Sequence, residues 1–218
     1  MSFRQTVLVV ILLVLAGLVF SAVIAPQLPE RVPSHWDAAG EINGYSSREQ
    51  ALWFMPVMVL ALAAMMLGLP MLDPLRKNID SFRPAYHWMV IGTTLFMEYL
   101  HVLTLLAGTG VQVNMSRMMI PAISLLLVGI GFVIEKAKPN WFIGIRTPWT
   151  LSSPTVWEKT HCLGAKTMKI SGLVSLLGFL VPAEGGFYVS IAVITLGSLI
   201  PVAASYIYYQ AEQKDSAK

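Results

Sequence analysis

Six apolar runs, each close to the length of a bilayer crossing, dominate this 218-residue chain. They are Thr6–Ala25, Ala51–Leu72, Tyr86–Ala107, Met118–Ile134, Lys166–Val181 and Phe187–Tyr209. A membrane-spanning helix needs about 20 largely apolar residues, with a range of about 17–25. The fourth and fifth runs lie at or below the short limit. The fifth spans only if Lys166 and Lys169 carry their ammonium groups to the surface on flexible stems. Charged residues make up 12% of the chain, against about 25% in soluble domains. Charges collected between long apolar runs define an integral membrane protein. The expected fold is all-α: a polytopic six-transmembrane-helix bundle with no appended soluble domain. Arg4, an apolar core and Ser21-Ala22 also resemble a cleavable signal, but the core is long and five runs follow, which favours an uncleaved anchor.

Lys and Arg orient such a bundle, because cytoplasmic loops carry them in excess. With the N-terminus inside, the cytoplasmic side holds twelve of the fifteen, and only Arg31, Arg48 and Arg117 lie outside. Both termini are therefore expected to be cytoplasmic. Pro26–Gln50 becomes a long outer loop and Glu135–Ala165 a long inner one. Asp73–Pro84 is a short inner connection, and Gly108–Arg117 a short outer one. Pro182-Ala183-Glu184-Gly185-Gly186 reads as a tight turn that packs the last two spans as an antiparallel hairpin. The tail Glu212–Lys218 is polar and expected to fray. The net charge of +3 comes without a basic, aromatic-interleaved stripe, so no direct nucleic-acid contact is expected. The single cysteine, Cys162, excludes an intramolecular disulfide and any cysteine-based zinc cluster.

Ionisable residues inside a span are costly and usually face protein or water. Glu98 and His101 lie within the third run. At about 100° per residue, His87, Thr94, Glu98 and His101 share a stripe about 60° wide. That stripe is expected to point into the bundle.

In the outer loop, Pro26, Pro29 and Pro33 favour an extended path. Asn43-Gly44 is a turn signal that would close a small hairpin against Val32–Trp36. Trp36 and Tyr45 suit the headgroup interface. His35 is a candidate for ligand or metal contact, or for titration near neutral pH. Its plainer role is a hydrogen bond within its own loop.

The inner loop is heavily aromatic, with Trp141, Phe142, Trp149 and Trp157. These side chains either lie in the headgroup layer or pack beneath the bundle. Arg146 is placed to reach a buried carboxylate or a phosphate, although the Gly-Lys-Ser/Thr ending of a phosphate loop is absent. Ser153-Pro154 is a helix start. The helix it opens would carry Trp157, His161, Gly164 and Met168 on one face and lead into the fifth span as an amphipathic segment at the membrane surface.

Two segments resemble a known family. Leu28-Pro29, Val32-Pro33-Ser34-His35-Trp36, Gly40 and Gly44 resemble a domain of unknown function found in many bacterial membrane proteins. Asn140-Trp141-Phe142-Ile143-Gly144-Ile145-Arg146-Thr147-Pro148-Trp149-Thr150-Leu151, with Trp157 and Gly164, resembles the signature of the SdpI family, immunity proteins for the sporulation-delaying peptide toxin. The resemblance implies a multi-pass protein of the bacterial inner membrane. It also implies a peptide toxin met at the outer face and a possible cytoplasmic repressor or regulator held at the inner one. It brings no catalytic residues and no cofactor.

The expected organisation is a four-span region with the His-Trp loop at residues 1–134, followed by an SdpI-like region at 135–218. Expected ligand-binding residues are His35, Trp36, Glu98 and His101. Expected inner-loop coupling residues are Asn140, Gly144, Arg146, Trp149 and Trp157. The chain is read as a binder and not an enzyme, with no metal and no cofactor. Two alternatives stay open. An intramembrane metal-dependent enzyme would use Glu98-x-x-His101 with His35 dipping in, although no His-Glu-x-x-His motif is present. A small proton-coupled transporter would use Glu98 as its carrier.

Overall fold

The structure, a computed structural model, describes residues 1–216. Lipid offers no partners for backbone N–H and C=O groups, so each crossing satisfies them internally as a helix. Among the described residues, six helices are long and apolar enough to cross a membrane: Phe3–Gln27, Arg48–Leu72, Arg76–Gly108, Met115–Ile134, Pro154–Leu180 and Glu184–Ser216. The protein is thus an all-α polytopic membrane protein, with one small sheet outside the spans. The long helices are α1 (Phe3–Ile24), α2 (Arg48–Gly68), α3 (Arg76–Gly108), α4 (Met115–Ile134), α6 (Pro154–Ser175) and α7 (Ala183–Ser216). A short α5 (Pro148–Ser152) precedes α6.

Polar side chains set the helix starts. Ser2 and Gln5 form a reciprocal capping box on α1, and Ser47 and Gln50 do the same on α2. The Ser153 hydroxyl accepts from the Val156 N–H at 3.2 Å and opens α6, as its sequence implies.

Three connections differ from the sequence expectation. The segment Asp73–Pro84 is mostly helix, because α3 begins at Arg76. At 33 residues α3 is about 50 Å long, beyond a hydrocarbon core of about 30 Å. The expected surface lead-in to the fifth span is instead the first half of one unbroken helix, α6. Its buried residues Trp157, His161 and Gly164 pack into protein and leave no apolar face to lay on lipid. The tail continues α7 as far as Ser216; residues 217–218 lie outside the described residues.

The outer segment forms a hairpin from β1 (Arg31–Trp36) and β2 (Ile42–Ser47). Asn43-Gly44 is not its turn. The chain reverses at Asp37–Glu41, where Asp37 accepts the Glu41 N–H on its own side chain at 2.9 Å and Gly40 takes a φ of +86°. An aspartate bonding its own turn with a glycine at positive φ outcompetes the Asn-Gly pair. Gly44 lies within β2 opposite His35, where the register is irregular.

Helices α1, α2 and α3 pack together, and α4 packs chiefly on α6, with α3 and α7 as its further neighbours. The α6–α7 contact is the most extensive, and glycines and serines line it and the turn that joins the two helices. A Cβ on Gly197 would meet Ser171 Oγ at 2.0 Å, and one on Gly186 would meet the Gly178 carbonyl oxygen at 2.1 Å. The hairpin and the Thr109–Asn114 turn occupy one end of the bundle, joined by Asn114 donating to the Ala39 carbonyl (2.9 Å). The other end gathers residues 135–153, the turn at Asp73 and the far end of α7, where Ser153 donates to Glu212 (2.9 Å). These are called the hairpin end and the loop end below.

Candidate functional site

The hairpin rests on the end of α3. Ile24, Leu28, Val32, Ala51 and Leu105 form a buried cluster there. Gly108 lets the strand approach, since a Cβ on it would lie 2.8 Å from Leu28 and 2.9 Å from Val32. Ser116 donates to the Asp37 carbonyl at 2.9 Å, tying the same hairpin to α4. His35 is exposed and hydrogen-bonds Asn43 within the hairpin. Trp36 is half-buried, and its indole N–H finds no partner. Arg31 lies over the exposed Tyr45 ring at 5.2 Å. His35 and Trp36 therefore lie on one strand, one side chain open to solvent and the other partly covered.

Beneath them, the polar stripe of α3 faces α1. His87, Thr94, Glu98 and His101 are all buried. His87 meets the Met1 carbonyl at 3.2 Å, and Thr94 donates to Val90 on its own helix. His101 Nε2 is 2.7 Å from Ser21 Oγ, and its Nδ1 is unpartnered. Neither carboxyl oxygen of Glu98 has a hydrogen-bond partner. Its head group fills the notch left by Gly17, where a Cβ would lie 2.1 Å from Oε2. Gly17 and Ser21 were missed as site residues. Their signal is two small residues four apart on an otherwise large-residue helix, the pattern that brings transmembrane helices close.

His35 does not join Glu98 and His101; it is held at the surface by Asn43. Among the described residues, no three His, Cys, Asp or Glu side chains converge. The third ligand needed by the metal-enzyme alternative does not approach that pair.

At the loop end, Asn140 organises residues 138–145. Its Oδ1 accepts the N–H groups of Phe142 (2.9 Å) and Ile143 (2.6 Å). Its Nδ2 donates to the carbonyls of Lys138 and Ile143, each at 2.8 Å. The buried amide thus has all its positions used. Gly144 takes a φ of +127°. A Cβ there would lie 2.4 Å from His161 Nε2 and 3.2 Å from the Trp157 ring. His161 bridges α6 to the loop: Nδ1–H donates to the Trp157 carbonyl (2.8 Å), and Nε2 accepts from the Ile145 N–H (3.0 Å). The two partners set this tautomer. Trp157 stacks on His161 at 4.0 Å, and its indole donates to the Ala137 carbonyl at 2.9 Å.

Arg146 reaches neither a buried carboxylate nor a pocket. It is exposed and donates to the Trp141 carbonyl of its own loop. The buried carboxylate that anchors the loop is Asp73, which accepts the N–H groups of Trp141 (2.8 Å) and Leu75 (2.7 Å). Asn78 adds a bond to the Pro139 carbonyl at 2.7 Å. The aromatics divide. Trp157 is buried, Trp149 packs on Tyr206 of α7 at 5.0 Å, and Trp141 is exposed. Asp73 and Asn78 were not singled out from the sequence, and His161 was read only as part of a helix face. His161 carried a signal, four residues after Trp157 on one helix face; Asp73 and Asn78 had none.

Residues 136–205 match the SdpI/YfhL protein family, and residues 12–60 match a domain of unknown function, DUF1648. The first match contains the Asn140–Trp157 loop, and the second covers the latter half of α1, the hairpin and the start of α2. The chain is 24% identical over 201 residues to "Immunity protein SdpI" of Bacillus subtilis (strain 168), covering 92% of this chain and 94% of that protein. No solved structure matches. The chain is therefore similar to the SdpI/YfhL protein family through residues 136–205, to a domain of unknown function through residues 12–60, and to that immunity protein along most of its length.

Proposed function

We propose that this protein is a bacterial membrane immunity protein that binds a membrane-active peptide toxin at its hairpin end. The observation that carries this reading is similarity running through 92% of the chain to a protein named for immunity. The charge distribution supports a hairpin end outside the cell and both termini inside. His35 and Trp36 are the proposed peptide contacts, an exposed imidazole beside a half-buried indole. Glu98 and His101, packed against Gly17 and Ser21 directly below, complete the ligand-responsive region by reporting how α1 sits on α3. In this reading residues 1–134 receive the peptide and residues 135–218 carry the response. Asn140, Gly144, Arg146, Trp149 and Trp157 form the coupling loop. Its exposed Trp141 and Arg146 are the surface a cytoplasmic regulator would meet. The activity is binding, not turnover.

Expression should protect a sensitive bacterium from such a peptide, and the recovered peptide should be chemically intact by mass spectrometry. His35→Ala and Trp36→Ala should each weaken protection roughly tenfold, and Arg48→Ala much less, because central aromatic anchors outweigh rim charges. Peptide fragments that depend on Glu98 or His35 would overturn the binding reading. Orientation has its own check. Cysteines placed at Ser34 and Ser152 in a Cys162→Ser background should label oppositely with an impermeant reagent in intact cells, position 34 being the one that reacts.

A further inference from the structure

We infer that the groove between α3 and α4 is a binding site for one anionic phospholipid, its hydrocarbon along the helices and its phosphate on Lys136. Small residues on facing helices ordinarily let the backbones close together. Here Ala85 and Gly92 on α3 face Ala122 and Gly129 on α4, yet a cavity of about 760 Å³ stands between the helices. A Cβ added to Gly92 or Gly129 would meet nothing within 4 Å. The two glycines border open space, so another molecule must supply the apolar contacts.

The lining selects the occupant. The groove runs along α3 from Ala85 to Tyr99, about 21 Å at 1.5 Å per residue. Aliphatic and aromatic side chains line that length, the surface that extended hydrocarbon chains cover in a bilayer. The walls are apolar apart from Tyr99 and Lys136. Tyr99 is occupied, donating to the Met118 carbonyl at 3.2 Å. Lys136 lies at the loop end of the groove, exposed and in no ion pair among the described residues. The neighbouring cation, Lys169, is bound to Glu135 at 2.9 Å. A free ammonium above an apolar slot is complementary to a phosphate carrying acyl chains. Trp88, 62% exposed at the same end of the groove, suits the headgroup boundary. None of this depends on which end faces the cytoplasm.

The test uses the full-length protein in phosphatidylcholine vesicles with trace phosphatidylglycerol or phosphatidylcholine, spin-labelled near the chain terminus. Electron paramagnetic resonance should show a motionally restricted component that favours phosphatidylglycerol by about fivefold, the effect of one ammonium near the surface. Gly129→Phe and Gly92→Leu fill the slot from opposite walls and should each abolish the preference, leaving the unselective restriction of the lipids around the bundle. Lys136→Gln, a surface change that folding tolerates, should likewise equalise the two lipids. No preference in the wild type, a preference that survives Lys136→Gln, or a preference unchanged in a folded slot-filling variant would each overturn the assignment. So would a dimer by light scattering with no phosphatidylglycerol preference, the mark of a second copy in the groove.

Discussion

Gly144→Val should sharply lower both membrane accumulation and melting temperature. Position 144 holds a φ of +127°, which a β-branched residue does not adopt without strain. The new Cβ would also enter the space of His161 Nε2, 2.4 Å away. Strained backbone costs roughly 1–3 kcal/mol and overpacking another 1–3. A combined loss of roughly 2–6 kcal/mol is large against the roughly 5–15 kcal/mol that holds a native domain together. The damage would spread, because His161 is the acceptor for the Ile145 N–H and the stacking partner of Trp157. The check is membrane accumulation and the melting temperature of detergent-purified protein. A variant that melts within a few degrees of wild type would show that the loop is an adaptable linker and not a fixed part of the bundle.

Gly17→Leu should separate α1 from α3. The leucine side chain would occupy the notch that now holds the Glu98 carboxyl group, and α1 would have to move outward or rotate. Overpacking of this kind costs roughly 1–3 kcal/mol. Shortening the opposing residue in Gly17→Leu/Glu98→Ala should return the melting temperature toward wild type. Residues in contact couple by about 0.5–3 kcal/mol in a double-mutant cycle, and a cycle that closes additively would show that the two side chains do not meet. Protection from peptide should not return with stability, because the double variant lacks the carboxyl group assigned to the ligand-responsive region. Restored protection would reduce Glu98 to a space filler between two helices.

Both substitutions act on a continuous line of contacts. Val32 and Leu28 of the hairpin segment touch Gly108 at the end of α3. About two and three turns back along α3 come His101 and Glu98, which meet Ser21 and Gly17. The same helix begins beside the loop, where Asn78 bonds the Pro139 carbonyl and the preceding Asp73 bonds the Trp141 N–H. α3 therefore touches the proposed peptide-facing hairpin at one end and the Asn140–Trp157 loop at the other.

The six spans were legible in the sequence because their cause is local: a run of apolar side chains long enough to cross lipid must satisfy its backbone as a helix. Ser153-Pro154 was legible for the same reason, since a cap acts on N–H groups three residues away. The hairpin could be read from prolines and turn residues, but its turn could not. Asp37 and Gly40 close the turn locally, and the distant Asn114 and Ser116, at the start of α4, hold it there by donating to the carbonyls of Ala39 and Asp37. The stripe of His87, Thr94, Glu98 and His101 followed from helical periodicity; the Gly17 notch and Ser21 hydroxyl that receive it depend on how far α1 is rotated and how closely it approaches. Arg146 looked like the anchor of the loop because charge is visible in a sequence. The anchor is Asp73, 68 residues from the Trp141 N–H it accepts, a distance along the chain that no local pattern records. Hydropathy and capping thus determined the elements, because each acts within a few residues. Helix rotation and closest approach, set by contacts between distant segments, decided which small residues became notches, which carboxyl group lost its partners and where a groove stayed open.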